Sequence, residues 1–131
     1  MVYVPPISVI KQRLEVVSAK GKLRVNNEYE EFVDLLKLLL RGVPVDEGWY
    51  LTRYPDVAEA VGAKIFKSAK HHFVEVGYFE GRTPCEFEVD DEWYLDKYAD
   101  VAEGVRSGAL KSARDHFLAH GYEEGRLPSE Y

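Results

Sequence analysis

Apolar residues recur at helical spacing in the first third of the chain. One stripe runs from Ile7 to Val17, and Pro6 and Gly21 flank it as signals of a helix start and a helix stop. A second stripe follows a capping-box pattern at Asn27 and Glu30, and its members are Phe32, Leu35, Leu36 and Leu39. We therefore predict two helices, over 7–20 and 27–41. An alternative for residues 21–25 is a strand that pairs with residues 2–4.

The rest of the chain is a pattern that occurs twice. Residues 45–84 align with residues 89–128 without a gap, at a constant offset of 44, and 22 of the 40 aligned pairs are identical. A fixed period without insertions indicates that each copy is one supersecondary unit. The predicted fold class is all-α, with an N-terminal helix pair followed by two tandem 44-residue units of about three short helices each. The predicted domains are 1–43 and 44–131.

Start and stop signals divide each copy into its three helices. The first helix carries the Trp-Tyr-Leu triplet. The second is predicted to start at Asp56 or Asp100, because a glutamate follows three residues later as in a capping box. The third starts at Ser68 or Ser112 and ends at a glycine, Gly77 or Gly121, which we expect to adopt the left-handed conformation of a C-cap. We expect another positive φ angle at Gly81 and Gly125.

Composition and charge exclude several classes of function. The chain has 131 residues and a formal net charge of −6, so phosphate backbones and anionic lipids are disfavoured as partners. No apolar stretch approaches the roughly 20 residues of a membrane span, and residues 1–6 lack the basic region and long apolar run of a secretory signal, so we expect none. The single cysteine, Cys85, can form neither an internal disulfide nor a zinc pair. We expect a soluble cytoplasmic protein without a cofactor, and no nucleic-acid partner or membrane insertion.

The repeat carries a resemblance to a known family. Residues 49–58 have the pattern WYLxxYPDVA, and residues 68–84 have the pattern SAxxHFxxxGxxEGRxP. Together they resemble a short helical repeat of bacterial proteins that often accompanies glycosyltransferases and other surface-polysaccharide proteins. The resemblance implies a bacterial origin and a non-catalytic accessory module, and it covers residues 45–128 only. The second copy has Ala99 in place of Pro55, which should soften the bend between its first two helices.

Three pairs of repeated residues are candidates for contact with a ligand or a partner. His72 and His116 share a helical face with an alanine and a phenylalanine, so a buried neutral imidazole is favoured over a catalytic group or a metal ligand. Arg82 and Arg126 could bind an anion or sugar, although an ion pair with Asp56 or Asp100 is favoured. Trp49 and Trp93 could stack on a saccharide, although aromatic residues at helical spacing are more often core residues.

The predominant functional hypothesis is a non-enzymatic module that acts through protein–protein contact. The second predicted helix carries apolar residues beyond its main stripe, which suggests an interface with another protein or with a second copy of the chain; the candidate interface residues are Leu36, Leu38 and Leu40. The alternatives are a module that binds a saccharide or a nucleotide sugar, and a small enzyme that uses the repeated histidines.

Overall fold

The computed structural model describes residues 2–131, and the fold is mostly helical with a small two-stranded sheet. The N-terminal part contains α1 (Ile7–Arg13), β1 (Val16–Ala19), β2 (Lys22–Val25) and α2 (Tyr29–Leu40). The first repeat contains α3 (Glu47–Arg53), α4 (Pro55–Gly62) and α5 (Ala69–His72). The second repeat contains α6 (Asp91–Lys97), α7 (Ala99–Arg106) and α8 (Ala113–His116). The all-α prediction is therefore confirmed only in that the chain is mostly helical, and the sheet is the exception to it.

The sheet is an antiparallel hairpin that replaces the second half of the first predicted helix. Val16 pairs with Val25 and Ser18 with Leu23, and the turn residues Lys20 and Gly21 both have positive φ angles, 53° and 74°. The strand alternative placed residues 21–25 correctly in a strand but paired them with the wrong partner. Two successive β-branched valines and a two-residue turn of this type favour a hairpin over a continuing helix.

The second helix starts two residues later than the sequence suggested. Its capping box is formed by Glu28 and Glu31. The Glu28 N–H donates to Glu31 Oε1 at 3.1 Å. Asn27 instead fastens the base of the hairpin, because its side chain accepts from the Glu15 N–H and donates to the Arg13 carbonyl, both at 2.8 Å.

The buried face of α2 also differs from the predicted stripe. Leu40 is 8% exposed and belongs to the core of the first repeat, so it is a core residue and not an interface residue. Phe32 and Leu39 were expected on the buried stripe and are exposed instead. The reason is that α2 contacts α1 and the segment after α5, and these two contacts bury a different face. Leu36 and Leu38 are half-buried, and their role in an interface stays a prediction.

The second helix of each repeat starts one residue earlier than predicted. Helix α4 begins at Pro55 and α7 at Ala99, so Asp56 and Asp100 lie in the first turn and do not cap it. Tyr98 (φ −114°, ψ 86°) has nearly the backbone angles of Tyr54 (φ −124°, ψ 81°). The predicted softer bend at Ala99 is therefore wrong, because the tyrosine adopts this geometry without a following proline.

The third helix of each repeat reaches its predicted glycine, but in a different geometry from the predicted one. Ser68 and Ser112 cap α5 and α8 as predicted, each accepting a backbone N–H at 3.0 Å. Both helices continue as a π-helical turn, Phe73–Gly77 and Phe117–Gly121, and Gly77 has a right-handed φ of −61°. The prediction of left-handed C-caps at Gly77 and Gly121 is wrong, whereas the positive φ angles predicted for Gly81 and Gly125 are confirmed at 83° and 79°.

The chain divides into two compact units, one ending at Cys85 and the other running from Glu86 to Tyr131. The core of the first unit consists of Leu40, Tyr50, Val57, Ala69, Phe73 and Val74. The core of the second unit consists of Tyr94, Val101, Ala113 and Phe117. Helix α2 contributes Leu40 to the first core, so the N-terminal part packs on the first repeat.

Candidate functional site

A buried tyrosine–histidine pair lies at the centre of each unit. In the first unit the Tyr50 hydroxyl lies 2.9 Å from His72 Nδ1, and in the second unit the Tyr94 hydroxyl lies 2.9 Å from His116 Nδ1. The tyrosines are 0% exposed, and the histidines are 5% and 8% exposed. The structure therefore places the two candidate histidines in the cores, as their helical spacing indicated, and each bonds to a tyrosine 22 residues away in the sequence.

The glycine of each π-helical turn makes room for this pair. A Cβ atom built on Gly77 would overlap the Tyr50 hydroxyl and would approach His72 Nδ1 at 3.1 Å. A Cβ atom on Gly121 would overlap the Tyr94 hydroxyl in the same way. These glycines are required by the close approach of a phenol oxygen to the backbone and not by a left-handed φ angle.

Burial controls the protonation of the pair in the first unit. It raises the pKa of Tyr50 to about 12, and the nearby Arg82 offsets only part of this increase. It also lowers the pKa of His72, and Arg82 acts in the same direction. At neutral pH the imidazole is therefore neutral and the phenol keeps its proton. Glu80 Oε1 lies 3.7 Å from His72 Nε2, which favours a proton on Nε2 and leaves Nδ1 to accept from Tyr50.

The repeated arginines form the ion pairs that the sequence favoured. Arg82 donates to both oxygens of Asp56, at 2.9 and 2.7 Å, and its guanidinium carbon lies 4.9 Å from the centre of the Tyr54 ring. This bidentate contact lowers the pKa of Asp56 from 3.8 to about 2. The Tyr54 hydroxyl accepts the Thr83 N–H at 3.1 Å. The arginine thereby fastens the turn after the π-helical segment to the start of α4.

The same set of contacts is present in the second unit. Arg126 donates to Asp100 at 2.8 and 2.7 Å, lies 4.9 Å from the centre of the Tyr98 ring, and also donates to Glu124 at 2.7 Å. The pKa of Asp100 is likewise lowered to about 2 by the Arg126 hydrogen bonds. Both guanidinium groups are thus engaged by carboxylates. A role of either arginine in binding an external anion stays a prediction.

The two tryptophans pack against their own units. The ring of Trp49 meets the edge of Tyr54 with 6.2 Å between the ring centres, and Trp93 meets Tyr98 at the same distance. Both are half-buried against the cores, and neither lines a groove described below. Stacking of a saccharide on them stays a prediction.

A groove of about 620 Å³ in the first unit was not foreseen from the sequence. It lies between the end of α2 and the start of α5, and we call it the basic groove; its lining residues are Tyr3, Leu38, Arg41, Lys67, Ser68, Lys70, His71, Val74 and Glu75. The sequence signal was weak, because these cations are separated in the chain by up to 29 residues. The one indication was the difference between copies, in which Lys70 and His71 correspond to Arg114 and Asp115.

An apolar surface in the N-terminal part is the second feature that was not foreseen from the sequence. It extends from one face of the hairpin onto the start of α2, and we call it the N-terminal apolar surface; its exposed members are Val16, Leu23, Val25, Tyr29 and Phe32. A second groove, of about 440 Å³, joins its two parts, since Val25, Tyr29 and Phe32 all line it.

Comparison with known proteins adds no identity, because no family model, curated protein or solved structure matches the chain. Within residues 2–131 no group of three or more histidine, cysteine, aspartate or glutamate side chains is placed to hold a metal ion. None of the helices in this described part has the length and apolar character needed to cross a bilayer.

Proposed function

We propose that this chain is a cytoplasmic, non-catalytic module that acts through contact with another protein, as an accessory in bacterial surface-polysaccharide production. In this proposal residues 45–84 and 89–128 are two copies of one helical unit. Each copy is a stable block, and the N-terminal part supplies the contact surface.

The matching positions of elements and contacts support the repeat. Helices α3 and α6 are both seven residues long, and their caps, Asp46 and Asp90, accept a tryptophan N–H at 3.0 and 3.1 Å. The tyrosine–histidine and arginine–aspartate contacts also recur at an offset of 44 residues. Side-chain bonds of equal length at a constant offset are what one supersecondary unit used twice produces.

The engagement of the shared polar side chains supports a non-catalytic role. A general acid or base must reach a substrate atom within hydrogen-bond distance. His72 and His116 are almost completely buried, and the Nδ1 atom of each already bonds to a buried tyrosine. The residues that both copies share are therefore used to hold each block together.

The single observation that carries the protein–protein proposal is the uncovered hairpin. Leu23 is 78% exposed, and within residues 2–131 neither strand contacts any helix. An isolated two-stranded hairpin is marginally stable in water, and packing against a further element is what usually stabilises one. Contiguous exposed apolar residues of this kind mark interaction sites. We infer that the N-terminal apolar surface is covered by a partner, which is another protein or a second copy of the chain.

Replacement of Leu23 by lysine tests the proposal. Burial of one leucine contributes about 1.5–3 kcal/mol, so we expect Leu23→Lys to weaken partner affinity at least about tenfold. Size-exclusion chromatography with light scattering measures self-association, and affinity capture from the source organism, followed by titration of the purified partner, measures binding to another protein. The matched control is Leu127→Lys, because Leu127 is an exposed leucine of the second unit.

Two results would contradict the proposal. One is that the wild-type protein is a monomer and that the variants Leu23→Lys and Leu127→Lys capture the same proteins. The other is a captured partner whose affinity is unchanged by Leu23→Lys, which would place the contact elsewhere. The polysaccharide assignment rests on the resemblance of the repeat alone, and it fails if the verified partner takes no part in polysaccharide production.

A further inference from the structure

The basic groove concentrates unpaired positive charge in an acidic protein. Arg41, Lys67 and Lys70 line it, and none of the three side chains forms an ion pair within the part of the chain that the structure describes. The carboxylate in the lining, Glu75, is bound by Lys37 at 3.0 Å. The lining residues thus carry three positive charges and one negative charge, a net charge of about +2, whereas the whole chain has a formal charge of −6.

The comparison with the second repeat shows that only part of this unpaired charge recurs there: Lys67 corresponds to Lys111, whereas Arg41 lies before the aligned segment. Lys70 corresponds to Arg114, which is bound by Glu86, and His71 corresponds to Asp115. The second repeat therefore keeps one cation that is unpaired within the described residues, Lys111, and has an acidic residue where the first repeat has His71. Packing of the repeat itself does not require the combination found in the first repeat, because both copies fold with the same contacts.

Two further groups in the groove can donate hydrogen bonds. The backbone N–H of Lys67 donates to His71 Nδ1 at 3.0 Å, so the other ring nitrogen, Nε2, is the one that can donate to a ligand. Ser68 accepts the His71 N–H at 3.0 Å with its side-chain oxygen, which leaves its hydroxyl proton available. Donors next to fixed cations are the chemistry that recognises phosphate oxygens.

The opposite wall of the groove is apolar and held in place. Tyr3 lies against Gly42, where an added Cβ atom would overlap the Tyr3 carbonyl, and the nearby Pro5 is buried. Leu38 and Val74 complete this wall. The volume of about 620 Å³ falls within the range of small-molecule sites and is too large for a bare phosphate ion.

We propose that the basic groove binds an organic phosphate with at least two negative charges, a ligand that goes beyond the protein–protein contact proposed above. The phosphate groups contact Lys67, Lys70 and Arg41. The organic part packs against Tyr3, Leu38 and Val74.

Titration of the full chain with inorganic pyrophosphate tests the phosphate contacts. We expect saturable NMR shifts of the backbone amides of residues 67–75, with a dissociation constant below about 1 mM at low ionic strength. The double variant Lys67→Gln/Lys70→Gln should weaken binding about tenfold or more. The matched control, Lys111→Gln/Arg114→Gln, changes the equivalent residues of the second repeat and should leave binding unchanged. Circular dichroism checks that both variants are folded.

Titration with adenosine diphosphate tests the organic part. We expect it to bind several-fold more tightly than pyrophosphate, because a ring can pack on the apolar wall. Tyr3→Ala should remove this difference while the affinity for pyrophosphate stays the same. An unchanged preference for adenosine diphosphate in Tyr3→Ala would show that the Tyr3 ring does not contact the organic group.

Three results would overturn the proposal. The first is no saturable shift with either probe up to about 10 mM. The second is equal weakening in the two double variants, which would indicate unspecific attraction. The third is tighter binding of a short oligoglutamate peptide than of adenosine diphosphate, which would identify an acidic protein segment as the occupant.

Discussion

At the scale of single residues, the sequence located the buried histidines but not the groups that surround them. The spacing of Ala69, His72 and Phe73 placed the imidazole toward the core, which the structure confirms. The tyrosine partner could not be inferred, because Tyr50 is 22 residues away and its hydroxyl meets His72 only after α3 and α5 pack together. The glycine at position 77 was misinterpreted for the same reason. Its function depends on a tertiary contact and not on local backbone preference.

Removal of the Tyr50 hydroxyl should destabilise the first unit. In Tyr50→Phe the buried His72 Nδ1 loses its partner, and an unsatisfied buried acceptor costs about 1–3 kcal/mol. Urea unfolding at neutral pH measures the free energy of unfolding. Tyr94→Phe should have an effect of similar size in the second unit, because the hydrogen bond has the same length. An unchanged unfolding midpoint in both variants would contradict a structural role of the pair.

A methyl group at position 77 should be tolerated only when the tyrosine hydroxyl is absent. Gly77→Ala places its Cβ atom on the Tyr50 hydroxyl, and overpacking of this kind costs about 1–3 kcal/mol. The double variant Gly77→Ala/Tyr50→Phe should therefore lose less stability than the sum of the two single losses. The control is Gly62→Ala, where the methyl group meets no atom within 4 Å and should stabilise α4 slightly. Additive losses would show that the two sites do not touch.

At the scale of elements, the sequence predicted the helices of the repeats better than the structure before α2. The serine caps of α5 and α8 were correct because the cap and the helix it starts are adjacent in sequence. Residues 16–20 were assigned to a helix because Ile7, Ile10, Leu14 and Val17 match a helical stripe. A short stripe can arise by chance. Here the turn geometry of Lys20 and Gly21 and the hydrogen bond from the Glu15 N–H to the Asn27 side chain favour the hairpin.

The hairpin turn offers a direct test of this conclusion. Positive φ angles at both central residues favour Asn-Gly, so Lys20→Asn should stabilise the hairpin. Slower hydrogen exchange of the hairpin amides, relative to the wild type, would measure the effect. Lys20→Gln removes the same charge without the turn preference, and it should leave exchange unchanged or faster. Equal slowing in both variants would attribute the effect to charge.

The ion pair between Arg82 and Asp56 should make stability sensitive to acid. Because the folded-state pKa of Asp56 is lowered from 3.8 to about 2, this contribution is complete above pH 3.8 and is lost as the pH falls through about 2. The difference in urea midpoint between the wild type and Asp56→Asn should therefore shrink across this window. Asp34→Asn is the control, because Asp34 is exposed and forms no ion pair in the described chain. A difference that is constant down to pH 2 would contradict the assignment.

At the scale of the whole molecule, the sequence repeat and the division into units give different boundaries. The pattern predicted a boundary at residue 44, before the first repeat, whereas the first compact unit includes α2 and extends to Cys85. The difference arises because Leu40 of α2 enters the core that Tyr50 and Phe73 form. A helical stripe shows that a helix buries a face, but it does not show which element covers that face.

This difference predicts unequal stability for two fragments of the chain. Residues 86–131 contain all of the second core, so this fragment should show a helical circular dichroism spectrum and a cooperative thermal transition. Residues 44–85 lack Leu40, and this fragment should be less stable by about 2–5 kcal/mol, the usual cost of deleting a buried leucine side chain. Extension to residues 27–85 restores α2 and should recover the loss. Tyr94→Ala in the fragment 86–131 is the control, since it removes the largest buried side chain of that core and should abolish the transition. If 44–85 were as stable as 27–85, α2 would be an appendage of the first repeat and not part of its core.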